Sequence, residues 1–180
     1  MSVKGNLVIR PAGPGDLAAM MRIFDSARSF MRRSGNMHQW DGGYPSESLM
    51  RSEIAAGHCL VCGTQDGEAV GTFCFIMGED PTYRIIEQGA WLHPGPYGTI
   101  HRLASSGKTG GVAAACFDWC WERIHNLRAD THADNAVMQR LLEEAGFVRC
   151  GIIYTDDGSP RIAYQKYAVG QPASGREASL

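Results

Sequence analysis

The sequence lacks a long apolar run, an excess of charge of one sign and a leader-like N-terminus. No stretch approaches the roughly 18 consecutive apolar residues of a membrane-spanning helix. Lys and Arg number 17 and Asp and Glu number 19, a net charge of −2, which argues against binding nucleic acid by bulk phosphate neutralisation. Met1–Arg10 carries one Lys and a short apolar patch rather than an export signal. We therefore expect a cytoplasmic protein, with neither nucleic acid nor membrane among its partners.

Metal-binding patterns are also scarce, although the chain has six cysteines. Without an export signal these are expected to stay reduced. Cys59 and Cys62 have C-x-x-C spacing, but residues three apart on a strand face opposite sides and cannot share one zinc ion. No second such pair follows. Buried core thiols are therefore the better interpretation, and no metal site is expected.

The composition is that of a folded globular chain. It has 180 residues, of which 44% are apolar and 20% are charged, so one domain with a substantial core is expected. The pattern along the chain predicts a strand, two helices, three strands, a helix, a strand, a helix and two strands. This order indicates a mixed sheet with helices on both faces. We predict a single domain over residues 1–168 and a flexible tail over 169–180, where residues are small and polar.

Local signals set the expected limits of these elements. Helices are predicted over 17–31, 46–56, 112–124 and 134–145, with Ser46 and Asp134 as N-caps. Strands are predicted over 7–9, 59–64, 69–77, 98–105, 127–131, 147–154 and 161–167. The stretch 78–97 has no clear periodicity, and a short irregular strand is considered at 84–86.

The strongest local signal for function is a strand, a glycine turn and a helix over residues 100–113. Glycines allow backbone N–H groups to converge, and a helix start adds a partial positive charge, so such a turn can hold a pyrophosphate. Lys108 adds a charge, and nearby Ser and Thr hydroxyls add donors. A Walker A motif is excluded because Arg102 stands where its first glycine is required. A surface turn without a ligand is the alternative.

Two motifs here resemble those of the GCN5-related N-acetyltransferase (GNAT) family. The stretch 108–113 fits the family's acyl-CoA loop, Q/R-x-x-G-x-G/A, if Lys108 replaces its first residue. The later motif N-x-x-x-x-x-L-x-x-x-x-G-F is met by Asn135, Leu141, Gly146 and Phe147. The element order from Leu7 to Tyr167 is also similar to that of the family. The resemblance implies an α/β (α+β) fold, with a mixed, mostly antiparallel sheet of six to seven strands flanked by about four helices.

The resemblance also implies which residues hold acetyl-CoA, the family's co-substrate. The strand before the glycine turn would splay from its neighbour and open a V-shaped cleft. Backbone groups on this strand would pair with the pantetheine arm and the acetyl carbonyl, amides of the turn would hold the pyrophosphate, and an Asn would contact the arm. The residues implied are Leu103, Ala104, Ser105, Lys108, Thr109, Gly110, Gly111, Val112, Ala113 and Asn135.

His101 is the preferred general base. Imidazoles titrate near neutral pH and suit proton removal from an ammonium group. Some members of the family place a catalytic His two residues before the Leu of this strand, and His101 and Leu103 match that placement. The alternative is a His whose hydrogen bonds are satisfied within the sheet.

The sequence departs from the family pattern in three ways. Leu142 stands where the family often has a Tyr that acts as the acid, and a Leu cannot donate a proton. Tyr154, Tyr164 or water could take that role, and the residues alone leave the choice open. The turn between Ala104 and Lys108 is also shorter than usual, and Lys108 replaces the commoner Arg or Gln.

The acceptor amine is expected to meet the loop between the first two helices, which shapes the acceptor site in this family. Trp40, Asp41 and Tyr44 place an acid between two aromatic rings, a combination that could hold a cation. The alternative is that both rings only pack and tether the loop. Arg102 and Arg161 could instead select an acidic substrate.

These observations favour an acyl-CoA-dependent N-acetyltransferase of the EC 2.3.1 type. It would transfer the acetyl group to a primary amine of a small molecule or peptide by direct attack in a ternary complex. A catalytically weak or inactive acyl-CoA-binding sensor is the alternative, suggested by Leu142. A Cys/His hydrolase is disfavoured, since no Cys stands at a helix start beside a His. The resemblance also leaves a homodimer open, since such folds often pair through their last strands.

Overall fold

A computed structural model describes residues 7–168, in which seven strands form one sheet. Their order across the sheet is β1-β2-β3-β4-β5-β7-β6, and β4 with β5 is its parallel pair. All other neighbours pair antiparallel. The strands are β1 (Val8–Pro11), β2 (Cys59–Gly63), β3 (Ala69–Met77), β4 (Gly98–Ser105), β5 (Asn126–Thr131), β6 (Val148–Tyr154) and β7 (Pro160–Tyr167).

Four α-helices connect these strands within the described residues. They are α1 (Leu17–Arg33), α2 (Glu47–Ala55), α3 (Val112–Trp121) and α4 (Ala136–Glu144). The hydroxyl of Ser46 accepts the N–H of Leu49 and caps α2 as predicted. The expected fold class and element order are confirmed.

The helices cover the two faces of the sheet and form separate cores. Helices α1 and α2 pack on one face around fully buried Met20, Phe24 and Met50. Helices α3 and α4 pack on the other, where Phe117 and Leu142 are buried. Residues 78–97 cover the rest of the face on which α1 and α2 lie. Their buried Tyr83 and Tyr97 pack there against Ile153 of β6 and Ala163 of β7. No helix within 7–168 has both the length and the apolar character needed to cross a lipid bilayer.

Three predicted details differ from the structure. Residues 84–86 form no strand; instead Glu87 makes an isolated bridge with Ile152. Asn135 rather than Asp134 caps α4, because the Asn135 side chain accepts the N–H of Met138. Helix α3 ends at Trp121 rather than at 124. The predicted tail over 169–180 lies outside the described residues.

The C-x-x-C residues are buried core thiols, as predicted. Cys59 belongs to the core under α1 and α2, and Cys62 to the core under α3 and α4, so they face opposite sides of β2. Cys59 Sγ lies 3.6 Å from Cys74 Sγ across the β2–β3 pair. Among residues 7–168, no three His, Cys, Asp or Glu side chains converge as metal ligands.

Candidate active site

The sheet opens between β4 and β5. These strands pair only over Gly98–Ile100 and Leu127–Ala129, although both continue further. A register shift opposite β3 marks a bulge in β4, where Arg102 has a φ of 54°. Such a bulge bends a strand and ends its regular pairing. The strands therefore diverge into the V-shaped cleft that the sequence led us to expect.

Two concavities meet at this cleft. The first, which we call the sheet cavity, has a volume of about 540 Å³ and is lined by His101, Asp80, Asp130, Tyr44, Arg102 and Arg161 among others. The second, which we call the helix groove, has a volume of about 610 Å³ and runs between α1, the end of β4 and α4. Both are lined by Met31, Leu103, Asn135 and Met138. The junction is the place where two bound molecules can touch.

The edge of β4 that faces the cleft carries free backbone groups. Ser106 donates its N–H to the carbonyl of Val70 on the β3 side. Because backbone groups alternate sides along a strand, those of Leu103 and Ser105 face the opposite side, toward the cleft. There β4 has no strand partner beyond Ile100. Leu103 and Ser105 thus offer donors and acceptors to a ligand in extended conformation.

The glycine turn leads directly into α3. Gly111 has a φ of 81°, which a glycine adopts at little cost, and it is the residue before the first turn of the helix. The N–H groups of Gly110, Gly111 and Ala113 make no hydrogen bond within residues 7–168. Unpartnered N–H groups at a helix start form an anion site when a ligand supplies the charge.

The first half of the turn is engaged with the protein itself. The N–H groups of Gly107 and Lys108 donate to the hydroxyls of Ser105 and Ser106. The ammonium of Lys108 lies 2.5 Å from a carboxylate oxygen of Glu68. An anion at this turn therefore meets the N–H groups from Gly110 onward more directly than the Lys108 charge.

Asn135 lies where the groove and the cavity meet and is 8% exposed. Its side-chain oxygen accepts the N–H of Met138 at 3.0 Å, and its Nδ2 donates to Gln39 Oε1 at 2.8 Å. Asn135 thereby joins α4 to the loop after α1. Each polar atom keeps capacity for one further hydrogen bond, so a contact with a ligand is compatible with these bonds.

His101 is paired with a carboxylate. Its Nε2 lies 2.6 Å from Oδ2 of Asp80, and the two side chains are 21% and 15% exposed. A carboxylate only accepts hydrogen bonds, so Nε2 carries the proton and Nδ1 is left as an acceptor. Nδ1 makes no hydrogen bond within 7–168. The pair thus fixes the tautomer and orientation that a general base needs.

Asp80 is held as an anion. Burial by itself raises the pKa of its carboxyl group, but the hydrogen bond and charge of His101 and the N–H of Thr82 outweigh burial and hold that pKa below its usual value. Oδ1 accepts the Thr82 N–H at 2.9 Å. Asp80 also donates its own N–H to the hydroxyl of Tyr97. These contacts fix the carboxylate beside the imidazole.

A second carboxylate of the cavity is paired with a phenol. The hydroxyl of Tyr83 donates to Oδ2 of Asp130 at 2.7 Å. Burial, and then the charge of Asp130, raise the pKa of Tyr83 well above its usual value. The Tyr83 ring also lies 5.9 Å from the His101 ring. This side of the cavity is therefore rigid and hydrogen-bonded.

The three residues predicted for the acceptor all line the cavity. Trp40 packs edge-on against Phe24 at 5.6 Å, which ties the loop to α1. The hydroxyl of Tyr44 accepts Arg102 Nε at 2.7 Å, and its ring has the Arg102 guanidinium 5.8 Å away. Asp41 is exposed and accepts the N–H of Gly42. The aromatic rings therefore have packing partners within the protein, while Asp41 remains open to a ligand.

The structure brings neither of the two suggested phenolic acids to the cavity. Tyr164 is fully buried in the core and contacts Glu143 at 3.4 Å, and burial raises its pKa. Tyr154 is 40% exposed, and its hydrogen bond to Glu87 raises its pKa. Leu142 does line the cavity but has no proton to give. Of the alternatives considered, water is the one compatible with this geometry.

Sequence reasoning missed Asp80, Tyr83 and Asp130. Asp80 stands before Pro81 and caps a short 3₁₀ turn, Pro81–Tyr83. An Asp before Pro is a recognisable turn signal, but nothing local indicates that the turn meets His101. Asp130 directly follows Ala129, the last residue of β5 that pairs with β4. It therefore lies where the two strands separate, and its side chain lines the cavity.

The comparisons with known proteins agree with this geometry. Residues 6–148 match a family model described as an acetyltransferase (GNAT) domain. The chain is 30% identical to the structure of a GNAT-family acetyltransferase from Streptococcus agalactiae 2603. The two structures superpose with a TM-score of 0.81, and the match covers 91% of this chain and 96% of that one.

More distant structures share the fold. A GNAT-family acetyltransferase from Listeria monocytogenes 4b F2365 is 17% identical, with a TM-score of 0.67 over 90% of this chain and 95% of that one. A ribosomal-protein-alanine N-acetyltransferase from Brucella melitensis is 20% identical, with a TM-score of 0.60 over 89% and 99%. No curated protein gives a significant match. The comparisons do not favour the non-catalytic alternative.

Family membership follows from the match over residues 6–148, which is most of the chain, and from the 30% identity to a GNAT-family structure over nearly its whole length. Members of this family generally use acetyl-CoA and acetylate amines of small molecules or proteins. The chain belongs to the GNAT acetyltransferase family and is an acyl-CoA-dependent N-acyltransferase.

Proposed function

We propose that this enzyme transfers an acetyl group from acetyl-CoA to a primary amine, by direct attack in a ternary complex, with His101 as the general base. The observation that carries the proposal is the His101–Asp80 pair, 2.6 Å apart, in the cavity that meets the helix groove. The acceptor is a small molecule or a peptide that enters the sheet cavity past Trp40, Asp41 and Tyr44.

The helix groove and the glycine turn that follows it fit acetyl-CoA. The free N–H groups of Gly110, Gly111 and Ala113 suit a pyrophosphate, and the open edge of β4 at Leu103 and Ser105 suits an amide-containing arm. The volume of about 610 Å³ is within the range of small-molecule and cofactor sites. When bound, acetyl-CoA supplies an activated acetyl thioester. Ala104, Lys108, Thr109, Val112 and Asn135 complete the proposed set.

Each residue of the site has one task in this proposal. His101 Nδ1 takes the proton of the acceptor's ammonium group, which leaves a neutral amine able to attack. Asp80 holds the imidazole and stabilises its positive charge once it is protonated. The N–H of Leu103 on the open edge donates to the carbonyl oxygen as negative charge develops on it. The new C–N bond forms and the C–S bond of the thioester then breaks. The attacking nitrogen loses its second proton to solvent and water protonates the leaving thiolate, so the reaction releases one proton overall.

The test is release of free thiol from acetyl-CoA with a panel of primary amines. We expect turnover by the wild type, and a loss of about 10²- to 10⁴-fold in kcat for His101→Gln, the usual contribution of a general base. The affinity for coenzyme A, measured by calorimetry, should stay within about twofold, because His101 does not line the helix groove. His125→Gln, at an exposed position between α3 and β5, is the matched control.

Three outcomes separate the possibilities. Binding of coenzyme A without thiol release from any amine would favour the acyl-CoA-binding sensor. Full turnover by His101→Gln would remove His101 from the role of base. No heat on titrating coenzyme A would contradict the proposed function altogether.

A further inference from the structure

We propose that the acceptor amine carries a carboxylate and that Arg161 binds it. This inference rests on the proposed function, since it names the substrate class of the same site. Arg161 lies on β7, lines the sheet cavity and is 8% exposed. Within residues 7–168, no carboxylate oxygen lies within 4.0 Å of its guanidinium.

The hydrogen bonds of Arg161 go to neutral groups alone. Nη1 donates to the Ser159 hydroxyl at 2.5 Å and to the Pro160 carbonyl at 3.1 Å. Nη2 donates to the Gln39 carbonyl at 3.3 Å. These bonds fix the guanidinium but do not neutralise its charge. Burying a charge without a directly paired counter-charge is costly, so an anion bound to Arg161 is stabilised.

Two N–H donors of Arg161 have no partner among residues 7–168. Of five N–H donors, three are used, and the Nε–H and one Nη2–H remain. Adjacent N–H groups of this kind match the two oxygens of a carboxylate. The unused donors are available to a carboxylate, and the bonds to Ser159, Pro160 and Gln39 already hold the guanidinium in place.

The half-buried Arg102 and the buried Arg128 differ from Arg161. Arg102 has Glu53 at 3.3 Å and the Tyr44 hydroxyl at 2.7 Å, so its charge is compensated. Arg128 also lacks a carboxylate, but its guanidinium lies over Trp91 at 4.0 Å and over Tyr97 at 3.8 Å, away from the cavity. Of these three arginines, Arg161 alone is buried, keeps unused donors without a carboxylate or an aromatic ring beside it, and lines the cavity.

Charges of both signs lie near Arg161. The hydrogen bond from Thr155 and, to a smaller extent, the charge of Arg161 lower the pKa of the exposed Asp157 carboxyl group, which forms no ion pair with Arg161. Burial lowers the pKa of His132, and the charge of Arg161 lowers it further. His38, which lines the cavity, adds to the same effect. Most carboxylates of the cavity already have donors: Asp130 has Tyr83, and Asp157 has the Thr155 hydroxyl and the Ser159 N–H.

The sheet register gives the distance between Arg161 and the proposed base. His101 follows Ile100, which pairs with Ala129, so His101 stands level with Asp130, which pairs with Ala163. Arg161 is two strands away and two residues further along. Ordinary strand spacing and rise would place the Cα atoms about 12 Å apart, and the divergence of β4 from β5 makes the distance longer. Such a separation favours an amine and a carboxylate several bonds apart, as in an ω-amino acid.

The test compares primary amines of matched chain length that carry a carboxylate, a methyl group or a second amine at the end opposite the reacting amine. The panel is γ-aminobutyrate and ε-aminocaproate, the alkylamines butylamine and hexylamine, and the diamines putrescine and hexamethylenediamine. We expect kcat/KM to be about tenfold or more higher for the better amino acid than for its alkylamine, as a charge-assisted bidentate pair implies. In Arg161→Gln the ratio of kcat/KM for the amino acid to kcat/KM for its alkylamine should fall to near one. In Arg161→Lys the ratio should stay above one, because the ammonium group keeps the positive charge.

The ratio is the informative quantity, because a general disturbance of the Gln39 loop would slow both substrates alike. Arg51→Gln, on the exposed side of α2, is the control. Hexanoate should also raise the melting temperature of the wild type but not of Arg161→Gln, which tests the carboxylate site without turnover. An unchanged ratio in Arg161→Gln, or a preference for the diamines, would overturn the inference. Failure of every amine to react, with hexanoate still bound through Arg161, would contradict the proposed function alone.

Discussion

Replacing Asp80 with Asn tests how His101 is held, because the two oxygens of Asp80 have different partners. Oδ1 accepts the N–H of Thr82, and Oδ2 accepts the Nε2–H of His101. In Asp80→Asn the amide oxygen must stay opposite the Thr82 N–H, since two donors cannot face each other. The amide nitrogen then points at Nε2 of His101. Nε2 becomes an acceptor, and the proton moves to Nδ1, the atom assigned as the base.

The variant therefore keeps the imidazole in place but blocks its basic nitrogen. A general base contributes about 10²- to 10⁴-fold, so we expect kcat to fall by about 10²- to 10³-fold. Raising the pH should not restore it, because the defect is the wrong tautomer rather than protonation. The KM for acetyl-CoA should stay nearly constant, since Asp80 does not line the helix groove.

The assay is the initial rate of thiol release at saturating acetyl-CoA between pH 6 and 9. Asp66→Asn, in the exposed turn between β2 and β3, serves as the matched control. The double variant Asp80→Asn/His101→Gln should be no slower than His101→Gln, because both changes remove the same base. A wild-type kcat in Asp80→Asn, together with an inactive His101→Gln, would refute the tautomer argument.

Three further changes test other parts of the molecule. Gly111→Ala, at a φ of 81°, should cost about 1 kcal/mol of stability and raise the Kd for coenzyme A several-fold; calorimetry with an unchanged Kd would remove the turn from the anion site. Asn135→Ala removes the α4 cap and should lower the free energy of unfolding by about 1 kcal/mol, measured by urea denaturation, whereas Asp134→Ala should have little effect. The hydrogen bond from Arg10 lowers the pKa of Asp16 from its usual value of 3.8 to about 2. The ion pair therefore stabilises the fold fully at pH values above 3.8, and this stabilisation is lost as the pH falls toward 2. The free energy of unfolding of the wild type should exceed that of Asp16→Asn by about 1 kcal/mol at pH 6, a value reduced for solvent screening because Arg10 is 51% exposed. At pH 3 the difference should be about half as large, and a difference that does not shrink would contradict the argument.

The fold was predictable where the sequence is periodic. Helix α1 carries apolar residues at helical spacing, and the two hairpins have short, largely apolar strands on either side of turn residues. Residues 78–97 have no such period, because they are fixed by contacts far along the chain. Gln165 accepts the N–H groups of Leu92 and His93. These contacts involve β7, which a reading of the local sequence does not bring near residues 78–97.

The two halves of the site differ in the same way. The proposed cofactor half consists of backbone groups in one continuous stretch, so a strand, a glycine turn and a helix were enough to indicate it. The acceptor half is built from side chains of distant segments: Asp80 lies 21 residues before His101, and Arg161 is 122 residues after Gln39. The sequence offers candidates for these roles, such as His101 and Arg161, but not their partners. Only the assembled sheet shows that His101 is paired with a carboxylate while Arg161 has none within 4.0 Å. This difference is the basis on which we propose that the amine binds at one end of the cavity and an anion at the other.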